Sequence, residues 1–201
     1  MSPIGYAALL PIDVQCGFDS PPWTAPNNPA MEAHGRRLLT AWREREWPIL
    51  HVRHDSIAAA SALQPGLAGH RFRDGFQPQA GEPIIAKSVN SAFIGTDLEL
   101  RLRRLSVETL VLFGISTDMC VSTTARAASN LGFRTIVVAD ACRCFALEDI
   151  DGRMLDAEQI HRIHLATLRA EFAEVVTTDA VLRELLKTAS SGHHPFEKVH
   201  A

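Results

Sequence analysis

Three side chains with catalytic potential each stand at the end of a short apolar segment: Asp13, Lys87 and Cys120. In an open parallel sheet, ligands bind beyond the carboxyl ends of the strands. We therefore expect a carboxylate, an ammonium and a thiol to meet at one edge of a sheet. Such a set suits nucleophilic catalysis, in which a base and a nearby cation activate the thiol. Taken one at a time, Asp13 could instead cap a turn, and Lys87 could be a solvated surface charge.

The position of Cys120 follows from the segment around it. Residues 107–115 form an apolar, β-branched-rich run that predicts a strand, and residues 116–118 offer the Ser, Thr and Asp side chains that begin helices. Cys120 then lies in a first helical turn, where the helix dipole would lower the pKa of a thiol below its free value of about 8.5. The simpler alternative is a small buried core residue. A narrow stripe of small side chains predicts which face of the helix is buried: Val121, Thr124, Ala125 and Ala128.

Composition favours one globular domain with a small-molecule ligand. The chain has 201 residues, of which 46% are hydrophobic and 21% charged, and we expect a single domain over residues 1–187 followed by a polar tail over residues 188–201. A net charge of −3 gives no reason to expect nucleic acid or a membrane as partner. No signal segment or membrane span is evident, and the four cysteines show no zinc-site spacing and no CxxC pair. We expect a cytoplasmic protein with reduced thiols.

Strands alternate with helices along the chain, which predicts a doubly wound parallel sheet. Pro11 removes one backbone donor from the first strand, so we expect irregular pairing there. The long segment 54–82 is rich in Gly, Pro, Gln and Ala and is interpreted as a loop that covers the active site. The predicted strands are residues 6–14, 49–53, 83–86, 107–115, 134–139 and 173–177, and helices are predicted at residues 29–46, 156–171 and 180–187, after Thr96 and after residue 118.

Local signals add detail to the helices. Asn28 before Pro29 is typical of an N-cap, and Thr96 with Glu99 matches a capping box. The spacing of apolar residues predicts the faces that turn inward: Leu98, Leu102 and Leu105 in one helix, and Ile160, Ile163, Thr167 and Leu168 in another.

Three segments, ALLPIDVQ, KSVNSAFIGTDLELRL and GISTDMCVSTTARAASNLGFRTIVVADA, together resemble the isochorismatase-like cysteine hydrolase superfamily, which includes nicotinamidases and carbamoylsarcosine amidases. The resemblance runs from about residue 7 to residue 182. It implies a three-layer α/β/α sandwich with a six-stranded, mostly parallel, Rossmann-like sheet. It also implies a catalytic triad of Asp13, Lys87 and Cys120, a cis peptide bond between Ile115 and Ser116, and an oxyanion hole made by the backbone N–H groups of Ser116 and Cys120.

By the same resemblance, the expected activity is metal-independent hydrolysis of a C–N bond in a small amide, ureido or lactam substrate through a thioester. Two alternatives stay open. One is vinyl ether hydrolysis of the isochorismatase type, against which the presence of Cys120 argues. The other is a non-catalytic scaffold or thiol redox protein, which the missing CxxC pair weakens. The resemblance also leads us to expect a homo-oligomer.

The chain departs from zinc-binding relatives, which carry an Asp-x-His motif where this sequence has His54, Asp55 and Ser56. His51, His54 and His70 could in principle form a different metal site, but we expect no metal and no cofactor. At the first loop, Cys16 and Gly17 replace the Asn and Asp that relatives often have. We interpret Cys142 and Cys144 as packing residues and His161 and His164 as ordinary helix positions. The pocket wall is predicted to contain Phe18, Trp23, His54 and Phe93.

Overall fold

The chain forms a six-stranded parallel sheet covered by helices, in a computed structural model that describes residues 2–190. The expected α/β architecture is confirmed. Two pairs of helices pack on the sheet, α1 with α5 and α3 with α4, and the central strands are buried along their whole length. The elements in chain order are β1 (Ala7–Ile12), α1 (Met31–Arg43), β2 (His51–His54), β3 (Ile84–Lys87), α2 (Leu98–Arg104), β4 (Thr109–Ile115), α3 (Ser122–Asn130), β5 (Arg134–Arg143), β6 (Leu147–Glu148), β7 (Met154–Leu155), α4 (Ala157–Glu171), β8 (Glu174–Val176) and α5 (Thr178–Ser190).

The strand order β3-β2-β1-β4-β5-β8 reverses between β1 and β4. The chain builds one half of the sheet outward from β1 and then returns to start the other half at β4. Such a switch point leaves a crevice beyond the carboxyl ends of the two strands, where ligands bind in open parallel sheets. Asp13 follows β1 and residues 116–121 follow β4, so both lie at this crevice.

Pro11 disturbs one side of β1 only. The register with β4 runs unbroken from Ala7↔Thr109 to Ile12↔Gly114. Toward β2, by contrast, the paired residues are Ile12↔Val52 and the isolated bridge Leu9↔Ile49. The irregular pairing predicted at Pro11 is therefore confirmed on the β2 side, where its missing N–H would have donated.

Gly114 allows β1 and β4 to approach closely at the crevice. Its φ is 135°, in the region that favours glycine, and a Cβ at this position would collide with the backbone carbonyl of Ile12. The register between β4 and β5 also shifts between Leu112 and Gly114. This strand end is thus shaped by a residue without a side chain.

The starts of α1 and α2 differ from the sequence predictions because the predicted capping side chains, Asn28 and Thr96, form hydrogen bonds with other backbone groups. Helix α1 begins at Met31 with Ala30 as N-cap, whereas the Asn28 amide donates to the backbone carbonyls of Asp140 (2.8 Å) and Cys142 (2.7 Å). Tertiary bonding therefore replaces the predicted cap at Asn28.

At α2, the predicted capping box is not formed. Asp97 is the N-cap, and the Thr96 hydroxyl donates to the carbonyl of Ala92 (2.6 Å) while accepting from the N–H of Leu98 (3.3 Å). Leu105 was expected to face inward but is 40% exposed, because α2 ends at Arg104.

The buried stripe predicted after β4 is confirmed at all four positions. In α4 the predicted phase was partly wrong: Ile160 and Leu168 are buried, but Ile163 is 57% exposed and Thr167 is exposed. His161 and Leu165 face inward instead. The buried face of α4 is therefore rotated about the helix axis relative to the face that we predicted from the apolar residues.

Two elements exceed the predictions. Strand β5 extends to Arg143, four residues beyond the predicted end, and the short hairpin β6–β7 was not predicted because two-residue strands leave no periodicity. Between β2 and β3, the chain is a long loop with one short turn at Ala68–His70, as expected.

Helix α5 continues past residue 187 to Ser190, and residues 191–201 of the predicted tail lie outside the described residues. Within residues 2–190, no helix has the length and apolar character needed to span a membrane.

Candidate active site

The Lys87 ammonium is the centre of the site. Its Nζ lies 2.6 Å from Oδ2 of Asp13, 3.2 Å from Nδ1 of His54 and 3.4 Å from Sγ of Cys120. An ammonium has three N–H donors and no acceptor, so these three contacts use its full bonding capacity. The side chains of Lys87 and Asp13 are both fully buried. The structure thus brings Asp13, Lys87 and Cys120 together as the sequence predicted.

Asp13 is held at the end of β1 in an unusual backbone conformation, with a φ of 51°. Its N–H donates to the carbonyl of Val52 (2.9 Å), which fixes the carboxylate at the crevice. Oδ2 pairs with Lys87, and Oδ1 is buried with no hydrogen-bond partner among the described residues. Burial raises the pKa of Asp13, and the positive charge of Lys87 opposes that rise. An unpartnered carboxylate oxygen beside a thiol is suited to accept a proton.

Cys120 sits in a π-helical turn, Thr117–Val121, that precedes α3. The carbonyl of Ser116 accepts from the N–H groups of Met119 (3.3 Å) and Val121 (3.1 Å), on either side of Cys120. The peptide bond between Ile115 and Ser116 is cis, as the resemblance implied. Ser116 and Cys120 both line the same pocket, although the role of their backbone N–H groups as an oxyanion hole stays a prediction.

The expectation of a lowered pKa for the Cys120 thiol is wrong. Burial and then the negative charge of Asp13 raise the pKa of Cys120, and Lys87 opposes them. Cys120 is 7% exposed, so desolvation outweighs the start of the helix. These effects favour the neutral thiol, which lies beside the paired side chains of Asp13 and Lys87.

His54 bonds directly to Lys87, a contact that sequence reasoning missed when it placed His54 only in the pocket wall. Because Lys87 can only donate, Nδ1 of His54 must accept, and the ring proton then lies on Nε2. Burial, together with the nearby charge of Lys87, lowers the pKa of His54. Gln15 clamps the His54 backbone: its Oε1 accepts from the N–H (2.9 Å), and its Nε2 donates to the carbonyl (3.1 Å).

A pocket of about 180 Å³ opens onto Cys120. Phe18 and Trp23 form one wall, as predicted, with ring centroids 5.1 Å apart. Phe145 supports them from behind, since its ring stacks on Phe18 at 5.9 Å, and it was missed by the sequence analysis. Larger clefts exist on the surface, one of them about 640 Å³, but their linings do not include Cys120.

The long loop between β2 and β3 covers this pocket, as expected. It contributes Ser56, Ala58, Ser61 and Leu63 to the lining. The prediction for Phe93 is wrong: its ring stacks on Phe133 at 6.0 Å, away from the pocket wall, and Asn90 from the same segment lines the pocket instead. A loop without periodicity gives no signal for which of its residues points inward.

Residues 7–180 match the isochorismatase domain family. The chain belongs to this family. YrdC of Bacillus subtilis, an uncharacterized family member, is 40% identical over 90% of this chain and 97% of its own length. Maleamate amidohydrolase of Pseudomonas putida is 29% identical over 89% of this chain and 86% of its own, and nicotinamidase 3 of Arabidopsis thaliana is 29% identical over 90% and 89%. A family structure from Chromobacterium violaceum superposes with a TM-score of 0.88 at 39% identity, covering 93% of this chain and 99% of that one.

Membership confirms the resemblance inferred from the three sequence segments, and this isochorismatase-family protein is a hydrolase with amidohydrolases among its relatives. In this hydrolase the three histidines considered as metal ligands do not converge. His51 Nε2 pairs with Glu82 (2.8 Å), His70 Nε2 pairs with Asp55 (2.7 Å), and His54 faces Lys87.

A different set of donors does come together. One ligand atom each from Asp13, His54 and Cys120 lies within 4.8 Å of the others. However, the Lys87 ammonium contacts all three of these residues. A metal ion would therefore have to displace a buried cation, and these residues do not fit a metal as they stand.

Cys142 and Cys144 pack in the protein interior, as predicted. Cys142 is fully buried, and burial raises the pKa of its thiol to about 12. Cys144 is also buried, with Sγ 3.1 Å from Oδ1 of Asp118. His161 was taken as an ordinary helix position, but it is buried and its Nδ1 lies 2.8 Å from the hydroxyl of Thr117, so it braces the turn that carries Cys120.

Proposed function

We propose that this hydrolase is a metal-independent cysteine amidohydrolase that cleaves a C–N bond of a small amide, ureido or lactam substrate through a thioester on Cys120. The observation that carries the proposal is the Lys87 ammonium, which contacts both the Asp13 carboxylate and the Cys120 sulfur beside a pocket of about 180 Å³. A base, a nucleophile and a cation within one set of hydrogen bonds are the groups that such a reaction needs.

In the first half-reaction, the Asp13 carboxylate takes the proton of the Cys120 thiol while the sulfur attacks the substrate carbonyl carbon. The carbonyl electrons move onto oxygen. Asp13 then gives its proton to the leaving nitrogen, the C–N bond breaks, and ammonia or an amine departs. Lys87 stabilises the sulfur as it gains negative charge and holds Asp13 in reach of both proton positions.

In the second half-reaction, Asp13 removes a proton from water, which attacks the thioester carbonyl. The tetrahedral intermediate collapses, the acid leaves, and the Cys120 sulfur recovers its proton from Asp13. The N–H groups of Ser116 and Cys120 are proposed to stabilise the oxyanion in both halves, a contribution whose loss typically costs about 10²- to 10³-fold in rate.

Metal independence is part of the proposal, and the position of the lysine supports it. The donor atoms that a metal would need, on Asp13, His54 and Cys120, already surround the Lys87 ammonium, which supplies the local positive charge. The nucleophile is a thiol with its own base, so no metal-bound water is required.

Vinyl ether hydrolysis of the isochorismatase type is the second candidate, and the match to the isochorismatase domain family is compatible with it. It relies on acid chemistry and would not need the thiol. A non-catalytic or thiol redox role is the third, and the burial of Cys120, Cys142 and Cys144 weakens it.

Two assays test the proposal: release of ammonia from small amides and ureas, and appearance of the amino group that ring opening frees from lactams. We expect turnover with at least one class, its loss in Cys120→Ala, and its retention in the matched control Cys16→Ala, which removes a more exposed thiol outside the pocket. Acid quenching during turnover should leave an adduct on Cys120 with the mass of the acyl group. Hydrolysis of a C–N bond that survives in Cys120→Ala would contradict the proposal.

The cytoplasmic location and the homo-oligomeric state expected from the sequence stay predictions. Cell fractionation and light scattering, respectively, check them.

A further inference from the structure

The pocket of this hydrolase holds no spare charge. Among the described residues that line it, the titratable side chains are Cys120 and His54, and burial together with Lys87 lowers the pKa of His54 so that it is neutral. Behind them, the charges of Asp13 and Lys87 cancel, and all three N–H donors of Lys87 are taken. A charged substrate would find no counter-ion inside.

Two nearby arginines already form ion pairs with carboxylates of the protein. Arg53 makes two hydrogen bonds to Asp55, at 2.7 and 3.0 Å. Arg143 makes two to Glu32, both at 2.8 Å. Recruiting either of them for a substrate carboxylate would break a two-bond ion pair with a partly buried carboxylate, which would keep only His70 in the case of Asp55 and only Arg73 in the case of Glu32.

The pocket is small and mostly apolar. A cavity of about 150 Å³ can hold a benzene molecule, so the 180 Å³ here suits a substrate of about one ring. The aromatic wall of Phe18 and Trp23 favours a planar ligand. The Ser116 hydroxyl is buried and has no partner among the described residues, so it is a neutral hydrogen-bonding group that a ligand can use, and the other polar residues of the lining, Ser56, Ser61 and Asn90, are neutral as well.

We infer that this enzyme selects uncharged, planar carboxamides of about one ring in size, and rejects amides that carry a carboxylate or an ammonium. The inference rests on the proposed function. Its physical basis is desolvation: an ion that enters this pocket loses its hydration and gains no opposite charge, whereas a neutral amide keeps the apolar contact and the hydroxyl of Ser116. The preference separates this chain from its relative that acts on maleamate, an anionic amide.

Matched substrate pairs test the inference directly. Maleamide and maleamate have the same heavy-atom count and differ in one charge, as do propionamide and glycinamide. We expect kcat/KM to be on the order of 100-fold or more higher for the neutral member of each pair, the scale of an unpaired ion moved into a site of this kind. Equal rates, or faster release of ammonia from the charged member, would overturn the inference.

A second measurement is independent of turnover. Iodoacetamide and iodoacetate are a neutral and an anionic reagent of nearly the same size, and their relative rates at Cys120 can be divided by their relative rates on the unfolded chain. We expect this corrected ratio to favour iodoacetamide by at least about 10-fold. A corrected ratio near unity, or one that favours iodoacetate, would refute the charge selection.

A positive charge added at the pocket wall should weaken the preference for the neutral reagent. Ala58 lines the pocket and is exposed, so Ala58→Lys places an ammonium there without burying it. The neighbouring Ile57 is 86% exposed and outside the lining, which makes Ile57→Lys the matched control for general surface charge. We expect the corrected ratio to fall in Ala58→Lys and to stay at the wild-type value in Ile57→Lys. An equal change in both variants would show that long-range charge, rather than the pocket, sets the ratio.

The two proposals fail in different ways. If no amide is hydrolysed but the alkylation ratio holds, the amidohydrolase function is wrong and the charge selection of the pocket stands. If amides are hydrolysed and the anionic members react faster, the function stands and the inference is wrong.

Discussion

Protonation of His54 should switch off the site, because the bond between its Nδ1 and the Lys87 ammonium requires a neutral ring. A proton on Nδ1 would place a second positive charge 3.2 Å from Nζ. At an effective dielectric constant of about 20, two unit charges at this distance repel by about 5 kcal/mol, before the attraction of Asp13 is counted. The reactive form therefore has neutral His54, and reactivity is lost as the pH falls through its pKa, which is lowered below 6.5.

Two substitutions separate the bond from the titration. In His54→Asn, the side-chain oxygen can take the place of Nδ1 as acceptor but cannot be protonated, so we expect the acid limb of the Cys120 alkylation profile to move to lower pH. In His54→Leu, one N–H of the buried ammonium loses its partner, which costs about 1–3 kcal/mol. For a domain of this size that corresponds to a melting temperature roughly 2 to 12 °C lower, with slower alkylation at every pH.

The assay is the rate of iodoacetamide labelling of Cys120 from about pH 4 to about pH 8, followed by peptide mass mapping. It does not depend on knowing the substrate. Burial also raises the pKa of Asp13, so protonation of Asp13 is the competing explanation for an acid limb. If His54→Asn retains the wild-type limb, Asp13 sets it, and the reasoning about His54 is refuted.

Four further outcomes are expected. During turnover, hydroxylamine should remove the acyl adduct from Cys120, as it does from thioesters, and an adduct that resists it would exclude that linkage. Ser116→Ala should raise KM roughly five-fold for loss of one hydrogen bond, without lowering the melting temperature, because the hydroxyl it removes has no partner in the described residues; a drop in melting temperature would indicate a structural role. Gly114→Ala should lower the free energy of unfolding by more than about 3 kcal/mol in urea denaturation, because its Cβ would meet the Ile12 carbonyl, and near wild-type stability would contradict the close approach of β1 and β4. Dialysis against a chelator should leave ammonia release unchanged, whereas loss of activity with recovery on adding zinc would show a metal-dependent enzyme.

The three proposed catalytic groups were predictable from the sequence because each lies at or shortly after the carboxyl end of a strand of the parallel sheet. That rule places Asp13, Lys87 and Cys120 at one edge without knowledge of the strand order. The bond from His54 to Lys87 depends on the register of β2 with β3, in which His54 pairs with Lys87, and register cannot be seen in an apolar run. The thiol pKa was mispredicted for a similar reason, since burial and the distance to Asp13 are tertiary properties.

The strand order explains why the side chain of His54 lies beside the contact between Lys87 and Asp13. Lys87 ends β3 and Asp13 follows β1, and β2 lies between these strands. Two strand spacings amount to about 10 Å, which a long lysine side chain and a short aspartate can close between them. The side chain that ends β2 therefore lies beside the lysine side chain. A buried polar group at this position must form a hydrogen bond with the lysine, or one of the two groups is left without a partner. His54 occupies that place, with its backbone fixed by Gln15, so the fourth member of the site follows from the topology that assembles the other three.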